Sequence, residues 1–396
     1  HPTREGIDLI SGDFWGRNPH DDFTWMRANA PVYWDGHAWG ITRYADLKAI
    51  SKDPATFSNA QGIRADADPL QMMIDMDDPE HFRRRKLVNK GYTPRRVRER
   101  EDEVRAACTD IIDAVCERGE CDFVTDIAAW LPLIMIGNDL GVLPEDRAQL
   151  LEWSDAMLSA LTGDPDSLEP ATLAFIGYTE YANAVIADRT ANPKDDLMSV
   201  LCHAEVDGDR LDHQAIIDES LLILIGGDET TRHVISGGAY QLLANRDQWD
   251  RLQADRELLP TALEEMLRWV SPIKNMNRTA TTDVVVNGQQ IREGDNVLLL
   301  YPSANRDEDV FDDPFRFDVG RTPNDHVAFG FGTHFCLGNS LARLELRVMF
   351  EELLDRLPDL ELVGGEEPGY RAANFVSGYE HMPVRFTPTA PVGRTA

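Results

Sequence analysis

Two short stretches of this chain hold residues whose types and spacing could do chemistry. In "FGFGTHFCLGNSLARLELRV", which begins at Phe329, Cys336 stands between Gly332 and Gly338, just ahead of Leu337, Leu341, Leu344 and Val348 at helical spacing. A thiol next to a helix N-terminus meets unpaired N–H groups and the positive end of the helix dipole, and both favour the thiolate. A thiolate held there suits a soft metal or a haem iron. The second stretch, "LLILIGGDETTRHVI", runs from 221 to 235. As a helix it puts Gly226, Gly227 and Thr230 on one face, with Leu222 a turn before and Val234 a turn after. Two glycines cost roughly 1 kcal/mol each against alanine in a helix interior, and the bare backbone they leave suits a flat ligand. Thr230 can turn its hydroxyl back to the Gly226 carbonyl, and Glu229 beside it is a candidate proton source. The plain alternative for this stretch is a kinked helix with a solvated acidic edge.

These residues need elements to position them. From about Asp212 to Asn245 the pattern predicts one long helix, interrupted only by Gly226-Gly227. Helical spacing also runs from about Pro94 to Leu151 and from about Leu168 to Leu201. Two hairpins are predicted, one around Asp35-Gly36 and one at Asn287-Gly288, between short β-rich runs. No repeat or linker marks a boundary, so 1–396 reads as one mainly α-helical domain with small β-rich patches near 31–45, 283–301 and 370–388. The net charge of −30 disfavours nucleic acid and anionic membrane surfaces as partners. No apolar stretch approaches the roughly 20 residues of a membrane span, so no membrane anchor is expected. Five irregularly spaced cysteines and no signal peptide point to a reduced, cytoplasmic setting. Cys116 and Cys121 have a zinc-like gap but no second pair of ligands to match, and with Cys108 and Cys202 they read as packing residues. The chain opens on His1 rather than Met, so a short preceding segment is expected.

Phe329-x-x-Gly332-x-His334-x-Cys336-x-Gly338 resembles the haem-thiolate signature of the cytochromes P-450, with His334 where many members have Arg. "EEMLR" is similar to the family's Glu-x-x-Arg, as Glu265 and Arg268, and "GGDETT" to its oxygen-activating helix. "DDPEHFRRRKL", "NMNRTA" and "ANRDEDVFDDPFRFD" match further family segments in order, so the resemblance covers nearly the whole chain. It implies a single large helical domain with haem b (iron protoporphyrin IX) buried between the long helix and the cysteine loop, and a reaction that inserts one atom of O2 into a C–H bond. Cys336 becomes the axial iron ligand, and Gly226 and Gly227 let the haem approach. His81, Arg85, Arg278 and His334 take the positions that neutralise the propionates; Thr230 and Glu229 deliver protons; Glu265 and Arg268 form a buried structural ion pair. Asp228 has no role beyond pairing on the far side of the helix.

The same resemblance lines a substrate pocket with Met72, Met73, Ile74, Leu222, Ile225, Ile273, Met276, Phe375 and Val376. That set is apolar and Met-rich, fit for a large hydrophobic guest, although several members could simply pack the core. "MMIDMDDPEHFRRR" and "GGDETTRH" look most like mycobacterial enzymes that oxidise the side-chain terminus of cholesterol and cholest-4-en-3-one. Another steroid, a fatty acid or a terpene is the alternative substrate. Electrons are expected from NAD(P)H through a ferredoxin reductase and a ferredoxin. Between His81 and Arg100 nine basic residues stand against the single acid Glu99, and Arg84 and Lys86 of this island are the expected docking contacts for an acidic ferredoxin. Two readings of other classes remain. A serine hydrolase elbow in "GNSLA", followed by Asp355 and His381, lacks the strand such an elbow requires. A non-catalytic gas sensor or ligand carrier would have no use for Glu229 and Thr230 in an apolar helix.

Overall fold

The structure, a computed structural model, describes residues 1–160, 165–364 and 367–393. The fold is mainly α, with small sheets attached, and its backbone contacts divide it into two compact units. Among the described residues no helix is long and apolar enough to cross a membrane.

One unit comprises His1–Leu70, His233–Cys336 and Pro358–Arg385. Its five-stranded sheet runs in the order Val32–Trp34, Trp39–Ile41, Asn296–Leu300, Asn275–Ala280 and Phe57–Ser58. The first two strands form the hairpin around Asp35-Gly36, with Val32 opposite Ile41, and the Asn296–Leu300 strand then adds in parallel. That strand reads "NVLLL" without alternation because it is covered twice. Val297 and Leu299 join one core cluster, with Phe57 and Phe311, while Leu298 and Leu300 join another, with Trp15 and Met26. At the second hairpin Asn287 and Gly288 both take positive φ, 47° and 77°, the pair of angles that a tight two-residue turn matching strand twist demands. The helix Leu259–Val270, amphipathic with Leu263, Met266 and Leu267 inward, stops at Ser271 in the left-handed region. Here the end of the long helix must come close. A Cβ on Gly237 would lie 2.7 Å from Val270, and one on Gly238 2.7 Å from Met266.

The other unit comprises Gln71–Arg232, Leu337–Leu357 and the chain from Phe386 onward. It is built from helices, among them Glu80–Val88, Glu101–Asp113, Trp130–Asp139, Arg147–Ser159, Leu168–Ala191 and Asn339–Arg356. The long helix is continuous from His213 to Ala244, and the glycine pair does not break it. Its residues up to Arg232 belong to this unit. The helical spacing predicted from Pro94 to Leu151 is broken in the structure. Gly119 turns the chain at φ 74°, and Asp122 then starts a π-helical turn, Phe123–Ala128, by accepting the Val124 and Thr125 N–H groups. Leu133, Ile136, Tyr178, Ile217, Leu221 and Leu224 centre this unit's apolar core.

Candidate active site

In the first unit the cysteine loop owes its path to its glycines. Gly330 and Gly332 sit at φ 71° and 79°, and a Cβ on Gly332 would fall on the Ser51 carbonyl oxygen, so no other residue fits there. The Phe331 ring is fixed under the Lys48 ammonium at 4.4 Å. Cys336 follows, half-buried, with its N–H donating to the Phe329 carbonyl at 2.9 Å. The buried cysteines differ from it in environment: burial pushes the Cys121 thiol up to about 12 and holds that of Cys108 well above its ordinary value. His334 lies in the tight turn Gly332–His334. Arg278, buried on the Asn275–Ala280 strand, donates to the Asn277 carbonyl at 2.7 Å.

The same unit holds Glu265 and Arg268, both fully buried and joined by two parallel bonds of 2.7 and 2.8 Å. Arg268 also donates to the carbonyls of Asn305 and Pro314, and Glu265 accepts from Arg321, Asn324 and the Asp318 N–H. Two guanidiniums share one carboxylate, and backbone carbonyls take their remaining N–H groups, which makes burying the knot tolerable. Ile273 bridges to Val376, and the Lys274 N–H donates to the Phe375 carbonyl at 2.7 Å, so the Ile273, Phe375 and Val376 segments run side by side. Met276 packs with Ile273 against the cluster of Val297 and Leu299.

In the second unit Thr230 donates its hydroxyl to the Gly226 carbonyl at 2.8 Å. The two glycines have different neighbours. A Cβ on Gly227 would meet Ile136 at 2.5 Å, whereas one on Gly226 would meet nothing within 4 Å, although Leu224 and Asp228 on either side are fully buried. Packing therefore explains Gly227 and leaves Gly226 open. Glu229 is buried in an ion pair with Arg232, which also reaches Asp155 at 3.2 Å. Arg232 escaped the sequence reading, though its acid-to-base spacing of three on a helix was a usable signal. Asp228 is fully buried against the Ser154 hydroxyl at 3.0 Å, and burial with Glu229 next to it raises its carboxyl pKa.

Met72, Met73, Ile74, Leu222 and Ile225 come together in one apolar cluster. His81 is buried with Nδ1 3.1 Å from Asp78, and Arg85 stands half-buried one turn further along the helix. Burial also lowers the His81 pKa. Arg84 is turned inward to the Gln71 carbonyl and to Glu219, a second residue the sequence reading passed over. Lys86 faces outward to Asp207 at 2.8 Å. Other cations of the island are likewise matched, Arg83 to Asp209, Arg96 to Asp195 and Lys90 to the Glu205 carbonyl.

The first unit offers a half-buried thiol in a glycine loop, with Arg278 and His334 on two further elements, and the second offers an open helix backbone at Gly226 and, on another helix, His81 and Arg85. Chemically that fits a flat, anionic prosthetic group whose metal takes a sulfur ligand.

Comparison with known proteins agrees. A family model described as Cytochrome P450 matches residues 177–358. A protein of Mycolicibacterium smegmatis named Steroid C26-monooxygenase is 54% identical over 394 residues, covering 98% of each chain. A Mycobacterium tuberculosis protein of the same name is 54% identical over 393 residues, again 98% of each. Among solved structures, a Mycobacterium marinum cytochrome P450 in complex with pseudoionone superposes with a TM-score of 0.89 at 35% identity, covering 98% of this chain and all of that one.

Proposed function

The chain belongs to the cytochrome P450 family, and from that premise we propose that it hydroxylates the terminal side-chain carbon of a steroid, cholesterol or cholest-4-en-3-one. The observation that carries the substrate class is the 54% identity, along 98% of the chain, to two proteins named for steroid C26 oxidation. The Met72, Met73, Ile74, Leu222 and Ile225 cluster supports it, because a sterol offers a large apolar surface and few polar handles.

When bound, haem b would supply the redox chemistry that activates O2 for insertion into a C–H bond. Cys336 would hold it through Sγ, while Arg278 and His334, and separately Arg85, would neutralise its propionates, with His81 donating a hydrogen bond to one of them. The open backbone at Gly226 supports close approach of a flat ring. The balance is one C–H bond, O2, two electrons and two protons, giving an alcohol and water. Thr230, anchored on Gly226, would pass protons inward, and Glu229 would feed it when it exchanges Arg232 for water.

The electrons would come from NAD(P)H through a ferredoxin reductase and a ferredoxin. The basic helix Glu80–Val88 and the turn after it support an acidic partner. The pairs of Arg83 with Asp209, Lys86 with Asp207 and Arg95 with Glu99 are solvent-exposed and screened by water, so a carboxylate surface can displace them. Arg84, turned inward, contributes less to such a surface than Lys86. A cytoplasmic setting goes with a mobile electron donor of this kind.

The test is a spectral titration of the purified protein with cholest-4-en-3-one, followed by product analysis with ferredoxin and reductase. Saturable displacement of water from the iron and a C26 alcohol are expected. Fatty acid or terpene binding without sterol binding would overturn the steroid reading. Cys336→Ser should abolish the red-shifted carbon monoxide difference spectrum, and an unchanged spectrum would refute the ligand assignment.

A further inference from the structure

Glu219 is a charge placed where the sequence has little reason to put one. It sits inside "AIIDESLLILIGG", between Ile217 and Leu221 of the buried core, and is itself fully buried. Helical spacing puts Glu219, Leu222, Gly226 and Thr230 on one stripe of the long helix, at steps of three and four residues. The carboxylate thus stands at one end of the stripe whose other end is the oxygen-activating threonine.

Its partners come from a different segment. Oε1 accepts the Met73 N–H at 2.8 Å and Arg84 Nη1 at 3.1 Å, and the same Nη1 donates to the Gln71 carbonyl at 2.7 Å. Two backbone atoms of the loop, Gln71 O and Met73 N, are therefore tied to the long helix through one carboxylate and one guanidinium. Between them lies Met72, and after them the tight turn Met73–Asp75, closed by the Asp75 N–H on the Met72 carbonyl. The side chains this tie holds in place, Met72, Met73 and Ile74, pack in the same cluster as Leu222 and Ile225. Apolar packing alone fixes such methionines loosely, since their three rotatable bonds let them refit. Charge-assisted bonds to backbone atoms fix position and register instead.

We infer that Glu219, with Arg84, is a positioning residue for substrate: the pair latches the Gln71–Asp75 loop onto the long helix and so sets the shape of the apolar surface that meets the sterol. The inference rests on the steroid reading only for the identity of the ligand. Glu219 touches no reacting atom, so its loss should act on binding and leave the chemical step largely intact.

Three variants of the haem-loaded protein test it, Glu219→Leu, Glu219→Gln and Arg84→Met. Amide hydrogen exchange is read over residues 71–76, with the Asn339–Arg356 helix as internal control. Cholest-4-en-3-one affinity is read by spectral titration, and KM and kcat are read separately. Glu219→Leu should speed exchange at 71–76 and weaken sterol binding, each about tenfold or more, with kcat changed less than about threefold. Glu219→Gln keeps a carbonyl for the Met73 N–H and should recover part of both losses. Arg84→Met, on a side chain with one edge in solvent, should fold normally and loosen the loop in the same sense. Exchange at 71–76 that stays at the wild-type rate in Glu219→Leu and Arg84→Met overturns the latch. So does exchange that rises equally in the control helix, because that is global destabilisation. If the wild type binds no sterol, the steroid reading fails by itself, and the exchange arm still decides the latch.

Discussion

Gly226 and Gly227 are neighbours of the same type that do different work. Gly227 is held by packing, because a methyl group there would strike Ile136 at 2.5 Å. Gly226 has no such neighbour in the folded chain, so its cost of roughly 1 kcal/mol against alanine has no packing return. Their alanine variants should therefore diverge. In the haem-free protein Gly227→Ala should lower stability by about 1–3 kcal/mol through overpacking. Gly226→Ala should leave it unchanged or raise it by up to about 1 kcal/mol, while haem uptake or substrate binding suffers. Denaturant unfolding of both haem-free variants, beside a haem titration, checks this. Equal destabilisation would mean that Gly226 serves the fold rather than a ligand.

At the scale of elements, much was legible because it was local. Asn287-Gly288 declared its hairpin through two residues that accept positive φ, and the long helix kept its period through the glycines. The acid and base of Glu265 and Arg268, three apart, needed only helical spacing to be paired, but their further partners Asn305, Pro314, Arg321 and Asn324 lie tens of residues away and left no local trace. The basic island shows the same limit. It looked uncompensated because Asp195, Glu205, Asp207 and Asp209 answer it from about a hundred residues downstream, and because the inward turn of Arg84 depends on a carboxylate on another helix. The π turn at Phe123–Ala128 had no periodic signature to find. The Glu265 knot yields a prediction of its own. Removing the acid strands buried Arg268 and the mostly buried Arg321, so Glu265→Ala should cost about 3–5 kcal/mol in urea unfolding. A loss under about 1 kcal/mol would show that carbonyl bonds alone suffice for Arg268.

Over the whole molecule, the carboxyls that matter for pH are the buried ones. Burial pushes Glu345 up to about 8, Glu219 to about 7 and Asp139 to about 6, and it raises Asp228 in the same direction. Each holds its proton to a higher pH in the folded state than in the unfolded chain, which releases it near the ordinary values of 4.5 for Glu and 3.8 for Asp. Their stabilisation is complete below those values and is lost as pH rises through 6, 7 and 8. His20 and His81, lowered by burial, and Lys274, lowered by burial to about 7, work the opposite way, but the two histidines act below their ordinary 6.5 and the lysine mostly above pH 7, so across pH 6 to 7 the four acids dominate. The net charge of −30 adds self-repulsion with the same sign as the acids. Thermal unfolding should thus come at least about 2 °C higher at pH 5.5 than at pH 7.5. Glu345→Gln should flatten the slope between pH 6 and 8. A melting temperature that climbs toward pH 7.5 would show these carboxylates ionised and matched.

The Asn287-Gly288 hairpin has a use that lies outside catalysis. Its strands Val284–Val286 and Gln289–Ile291 form a sheet of two, and a Cβ on Gly288 would meet nothing within 4 Å. Extra residues at such a tip cost only the slowly growing entropy of a longer loop. It is a natural splice point for a flexible tether, by which a redox protein could be grafted onto the chain or the enzyme hung from an electrode, with both termini left alone.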